Sequence, residues 1–356
     1  MENILINETP IRTSKNFKIN NIEIKDVNIP SKVEKFKNYT IEGIDSNLEI
    51  KDKTLIQEKL TYGLGEVLEK NSIDNKNNEL YFNVIGKKNN EVKVNYEIDK
   101  ENINLIENIN IVANEDTNSK FIFGYKTKNE DIEGFHNGTI KVKAEKNSYV
   151  KIIILNLVNE KTNQFMSVEN VIKENAKVEY VIIDIGGKSS ITNYYSNVIG
   201  DEAKNNIDTI YLGRNKQLLD FNYIGELRGK KTDININVQG ALNDNAKKNF
   251  KGTIDFKQGC KKSTGDENEE CMLLSDTAKA ISLPMLLCTE EDVEGNHSSS
   301  AGKIGTQELF YILSRGISFK DARRLLVKAK FNKVLEKIED EELKKEIIKE
   351  IDSRLD

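Results

Sequence analysis

From about residue 90 to residue 260, apolar and polar positions alternate in short bursts. SYVKIIIL (148–155), AKVEYVII (176–183), NNIDTIYL (205–212) and KTDININV (231–238) each carry an apolar residue, a polar one and then mostly β-branched or aromatic residues. A period of two in such residues predicts strands. Aligning Val150, Val178, Ile207 and Ile234 gives steps of 28, 29 and 27. A second set keeps pace: VENVI, YSNVI, IGEL and KGTI end at Ile172, Ile199, Leu227 and Ile254, with steps of 27, 28 and 27.

A near-constant period in the twenties predicts a solenoid. The leucine-rich pattern is missing and no helical stripe occurs inside a period, so two or more strands per turn with short polar corners fit best. That is a parallel β-helix, in which equivalent side chains stack in columns. Proline is absent from 31 to 283, as expected where every internal strand donates its N–H groups. A β-sandwich ranks second, because it has no reason to hold a fixed period.

The predicted class is mainly β, with a β-helix core over 79–303 between two flanks. Residues 1–78 read as mixed α/β, with a helix over 53–71 (KTLIQEKLTYGLGEVLEKN). Residues 304–356 read as a small helical domain covering the last coil. Within it Thr306 is expected to cap QELFYILS, and Ser318 with Asp321 to form a capping box. Ala322, Leu325, Leu326 and Ala329 form one apolar stripe. Phe331, Val334, Leu335 and Ile338 form another out of phase with it, which predicts a bend near Asn332. A last helix runs through Leu343, Ile347, Ile351 and Leu355.

Composition narrows the function. Of 356 residues 37% are hydrophobic and 31% charged, and 53 basic residues interleave with 58 acidic ones for a net charge of −5. The absence of a basic stripe argues against nucleic acid. The longest apolar runs are far too short for a membrane span, and MENILINETPIRT does not resemble a secretory signal. A cytoplasmic location is the expectation. Cys260, Cys271 and Cys288 contain no C-x-x-C pair, so buried apolar thiols are expected for at least two of them.

Catalytic signatures are scarce. DIGGKSS (184–190) has Ile182 where a phosphate loop needs glycine, and reads as a tight corner of a coil. G-x-G-x-x-G, H-E-x-x-H and a nucleophile elbow are missing. Of two histidines, His136 in GFHNGT reads as a solvated turn residue. His297 lies in VEGNHSSSAGK (293–303), expected to be a polar loop that Gly295 and Gly302 let turn tightly. The ring there is a ligand, a proton carrier or a capping residue.

Residues 249–331 carry an ordered set of features: F-x-G-x-I, the LLS of 273–275, Pro284 before an apolar strand, DV ahead of the histidine, and LF-Y-x-x-SRGI at 309–317. This set resembles the C-terminal half of the SufB/SufD scaffold proteins of iron–sulfur cluster assembly. PIRTSKNFKINNIEI near the start resembles the opening of SufD chains. SufD is the nearer paralogue, since the cysteine-rich N-terminal motif of SufB is missing, Glu270 stands in its cysteine slot, and Ser298 follows the histidine where SufB has glutamate. The resemblance implies a right-handed β-helix and a non-catalytic subunit that pairs with a SufB-like paralogue and holds a SufC-like ABC ATPase on its helical end. A homodimer is the alternative in isolation. It implies no cofactor held stably by this chain alone, but a transient iron or iron–sulfur cluster at the interface with SufB, with His297 facing it as the candidate metal ligand. The cysteine that often stands two residues before this histidine in SufD chains is Gly295 here. Phe310, Tyr311 and Arg315 are the candidate partner-binding residues; alternatively Leu309, Ile312 and Leu313 face the last coil and Phe310 helps close it. A polysaccharide-acting β-helix enzyme and a purely structural solenoid are the competing functions.

Overall fold

The computed structural model describes residues 2–12, 19–46, 48–50, 59–87 and 90–355. The N-terminal flank holds β1 (Glu2–Ile6), β2 (Ile22–Val27), β3 (Tyr39–Glu42), β4 (Leu48–Ile50) and α1 (Glu66–Asp74). The solenoid begins with β5 (Asn78–Val84), β6 (Asn90–Ile98), β7 (Asn104–Ala113), β8 (Asn118–Thr127), β9 (Phe135–Ala144) and β10 (Tyr149–Leu157). It continues through β11 (Asn163–Ile172), β12 (Lys177–Asp184), β13 (Ser189–Val198), β14 (Lys204–Gly213) and β15 (Leu218–Leu227). It ends with β16 (Asp233–Leu242), β17 (Lys247–Phe256), β18 (Ser263–Leu273), β19 (Lys279–Cys288) and β20 (Val293–Lys303). Helices α2 (Thr306–Ser314), α3 (Phe319–Leu335) and α4 (Glu341–Arg354) follow.

Even-numbered strands from β6 to β20 stack into one parallel sheet and odd-numbered strands from β5 to β19 into the other. The parallel β-helix is therefore present. At its start β3 and β4 pair antiparallel with β6 and β5 and cover the first edges. The two sheets close on one long apolar core.

The columns differ in detail from equal steps in sequence. Val150 and Val178 are in register, but the next member is Asn205 and then Ile234. Ile207 belongs two places along, below Ile236 and above Tyr180. The second column runs Ile172, Val198, Leu227, Phe256, so Ile199 and Ile254 stand one and two places off it. Corners of four or five residues shift the count. A slip of two keeps a side chain on the same face, whereas a slip of one reverses it, and Ile199 is indeed exposed.

Both outer faces are covered, which explains the unbroken apolar runs. In IIIL, Ile152 and Ile154 face the interior, while Ile153 and Leu155 face outward against Val327, Phe331, Val334, Ile338, Leu343, Ile347 and Ile351. Helices α3 and α4 thus lie back along the outer face of the even-numbered sheet rather than over the last coil, a correction to the expected lid. Lys151 Nζ fastens them, donating to Lys337 O at 2.8 Å and Glu339 Oε1 at 2.9 Å. α3 continues past Asn332 without a break, and its buried residues follow one line; Leu325 and Ala329 of the other stripe are exposed. Ser318 caps α3 as expected, accepting from Asp321 N, whereas Thr306 is the first helical residue of α2 and Gly305 precedes it without a side-chain cap.

On the opposite sheet, Ile4, Ile6, Ile22, Ile24, Leu64 and Leu68 pack against Ile106, Phe135, Phe165 and Ile191. The helix expected over 53–71 begins only at Glu66. Residues 51–58 lie outside the described residues, and positive φ at Gly63 (73°) and Gly65 (118°) breaks any helix through that stretch. Residues 13–18, part of the SufD-like opening, also lie outside them.

Candidate interface site at the open end

Among the described residues, nothing covers the last turn of the solenoid. β19 and β20 are the last strands of their sheets, each paired on one side only. Pro284 sits in β19 opposite Gly252, at an edge where a missing N–H interrupts only one ladder.

His297 lies in β20, not in a loop, and neither Gly295 nor Gly302 has positive φ. The ladder to β18 is regular, pairing Gly265 with Gly295, Glu267 with His297 and Glu269 with Ser299. In β18 the odd-numbered residues from Ser263 to Cys271 are the buried ones, so His297 shares the interior face, exposed only because no further turn lies above it. A Cβ on Gly295 would meet Leu286 and Phe256, which confirms the direction.

Beneath this mouth the interior turns polar. The column Ile152, Tyr180, Ile207, Ile236 continues into Glu267 and His297. Glu269 is fully served: Oε1 accepts from Tyr211 Oη at 2.9 Å and Lys248 Nζ at 2.8 Å, and Oε2 from Ser282 Oγ and Ser299 Oγ, each at 2.9 Å. Lys248 and Glu269 are fully buried and form an ion pair. Glu267 contrasts with it. It is 2% exposed, and both oxygens lack a partner, alone in this among the described buried carboxylates. Burial, then the Glu269 charge, pushes its carboxyl up to about 8. Its carboxylate lies against Gly252, where any Cβ would fall 2.3 Å from Cδ.

Sequence reasoning missed these groups because TGDENEEC shows no apolar beat and looks like a surface. The solenoid register is the signal that could have found them, since it places Glu267 and Glu269 over Ile236 and Val238.

No residue of helix α2 is buried: Phe310 and Tyr311 are 73% and 60% exposed, and the half-buried Leu309 and Ile312 belong to a helix that lies against α3. Leu309, Ile312 and Leu313 therefore do not close the coil. Arg315 stacks on Tyr311, 5.0 Å from the ring centroid, and donates to its Oη at 3.0 Å. Ile304 and Gly305 alone separate this helix from β20. Cys260 and Cys271 are buried and Cys288 is exposed at the end of β19. Among the described residues no three His, Cys, Asp or Glu side chains come together as a metal site.

His136 overturns the expectation of a solvated turn. It lies in β9, fully buried, with Nδ1 2.7 Å from Gln164 Oε1, Nε2 3.2 Å from Glu107 Oε1 and its ring stacked on Tyr125 at 4.5 Å. DIGGKSS does form a corner, between β12 and β13, with Gly187 at φ 95°.

The fold is a parallel β-solenoid with flanking segments packed on both outer faces and, among the described residues, no element over its last turn. Residues 96–330 match the family described as SUF system FeS cluster assembly, SufBD core domain, and the chain belongs to that family. It is 26% identical over 180 residues to the iron–sulfur cluster assembly protein SufD of Bacillus subtilis, covering 51% of this chain and 41% of that one. It is 29% identical over 114 residues to SufD of Escherichia coli, covering 32% and 27%. A SufBD family protein of Staphylococcus saprophyticus is 22% identical over 236 residues, covering 65% and 50%. The matches thus span half or less of these relatives' length. Among the described residues no helix is long and apolar enough to cross a membrane.

Proposed function

We propose that the chain is a non-catalytic, SufD-like scaffold subunit of a cytoplasmic SufBCD-type complex. The observation that carries this reading is the uncovered end, where two parallel strand edges lie beside an interior-facing histidine. Unpaired edges of ten and eleven residues are templates for strand pairing, and a SufB-like paralogue ending in the same way is the fitting partner; in its absence a second copy of this chain takes the place. Exposed Phe310, Tyr311 and Arg315 on α2 form an aromatic–arginine patch of the kind that anchors interfaces, and a SufC-like ABC ATPase is its proposed occupant. Its nucleotide-driven movement would shift the neighbouring β20, opening and closing a site shared between subunits. Iron or a nascent cluster is the cargo there, with His297 as the imidazole ligand from this side and thiolate from the partner.

Co-expression with the paralogue and the ATPase tests this. A ternary complex is expected on purification, losing the ATPase with Phe310→Ala/Tyr311→Ala and losing iron, but not assembly, with His297→Ala. Purification of the chain free of both partners would refute the scaffold reading.

A further inference from the structure

We propose that Glu267 is a second metal ligand supplied by this chain, binding a divalent transition cation together with His297 at the mouth of the solenoid. The inference rests on the reading of His297 as a ligand and adds the group that completes this subunit's half of the site.

Three observations carry it. Glu267 and His297 are in-register neighbours on parallel strands and share the interior face. Side chains so placed start about 4.8 Å apart, a spacing from which an imidazole and a carboxylate both reach one ion at roughly 2.1 Å. Second, Glu267 is a buried carboxylate with neither oxygen satisfied. Native interiors rarely leave such a group without a purpose, and Glu269, two residues along, has four donors and none to spare for it. Third, the space that the carboxylate occupies exists because residue 252 is glycine. A side chain resting against Gly252, with three torsions of its own, turns toward the mouth without moving the strands. One nitrogen and one oxygen donor suit ferrous iron and its divalent neighbours better than a thiolate-seeking ion.

The test uses the full chain, with cobalt(II) as the probe metal followed by calorimetry and its visible absorption, and iron(II) under anaerobic conditions as confirmation. One site per chain is expected, weakened about tenfold or more by Glu267→Gln and by His297→Ala alike. Glu267→Gln also removes the unpaired acid, so its melting temperature should not fall. Should it fail to fold, Glu267→Met, similar in length and without oxygen, replaces it. Unchanged binding in the Glu267 variant with loss in His297→Ala would overturn this proposal and leave the histidine reading standing. Loss in the Glu267 variant alone would overturn the shared site. No binding by the wild-type chain would overturn the two-ligand site proposed here.

Discussion

Ser299 Oγ donates to Glu269 Oε2 at 2.9 Å, so the outermost strand of the solenoid is tied to a carboxylate in its interior. The same carboxylate is paired with Lys248, and the pair is fully buried. Removing one partner leaves an uncompensated charge in a dry environment. Lys248→Met is therefore expected to cost about 3–5 kcal/mol, whereas Ser299→Ala, which removes one donor of four at the open edge, should cost about 1 kcal/mol. Urea unfolding of both variants checks the ranking; a Lys248→Met variant as stable as the parent would contradict the buried pair.

Asp184 supplies a pH dependence. It accepts from Ser190 Oγ at 2.9 and 2.7 Å and from Asn156 Nδ2 at 2.8 Å, yet burial pushes its carboxyl from 3.8 up to about 7. The folded chain therefore keeps a proton that an unfolded aspartate has already lost. The contribution to stability falls as pH rises from about 4 to about 7 and is level beyond, a cost on the order of 4 kcal/mol at its fullest. Asp184→Asn should be nearly neutral at pH 4 and stabilising at pH 8. Parallel unfolding curves at those two pH values provide the measurement, and a gap independent of pH would count against it.

The strand period and the C-terminal helices were legible because each rests on apolar residues at regular intervals. What escaped was polar. Asn205 occupies an interior column, donating to Val178 O and accepting from Tyr194, and an alignment that follows apolar residues slides past it to Ile207. His136 and Glu267 were lost in the same way: polarity signals solvent until stacking provides partners or a mouth. The placement of α3 and α4 was hidden for another reason. An amphipathic helix states that it covers something, and only the outward-facing Ile153, Leu155, Val181 and Ile183 say what.

Gly240 tests the close packing under the mouth. A Cβ at this position would lie 1.9 Å from the ring of Tyr211, whose hydroxyl donates to Glu269. Gly240→Ala must displace that ring, with an expected loss of roughly 1–3 kcal/mol. Tyr211→Phe in the same background separates sterics from hydrogen bonding: it removes the donor and leaves the clash. If Gly240→Ala melts like the parent chain, the ring does not lie where described.

Two phenylalanines of the C-terminal helices should behave oppositely. Phe331 is fully buried between α3 and the outward side chains of the even-numbered sheet, so Phe331→Ala leaves a cavity and is expected to cost about 3–5 kcal/mol. Phe310 is 73% exposed on α2, and a surface truncation of this kind changes stability by less than about 0.5 kcal/mol. Partner binding should reverse the order. Phe310→Ala should weaken capture of the ATPase while leaving the melting temperature unchanged, and Phe331→Ala should lower the melting temperature while retaining capture below it. Finding both losses in the same variant would mean that the helices form a single unit in which packing and recognition cannot be separated. The exposed position of α2, with no buried residue of its own, argues for the separation.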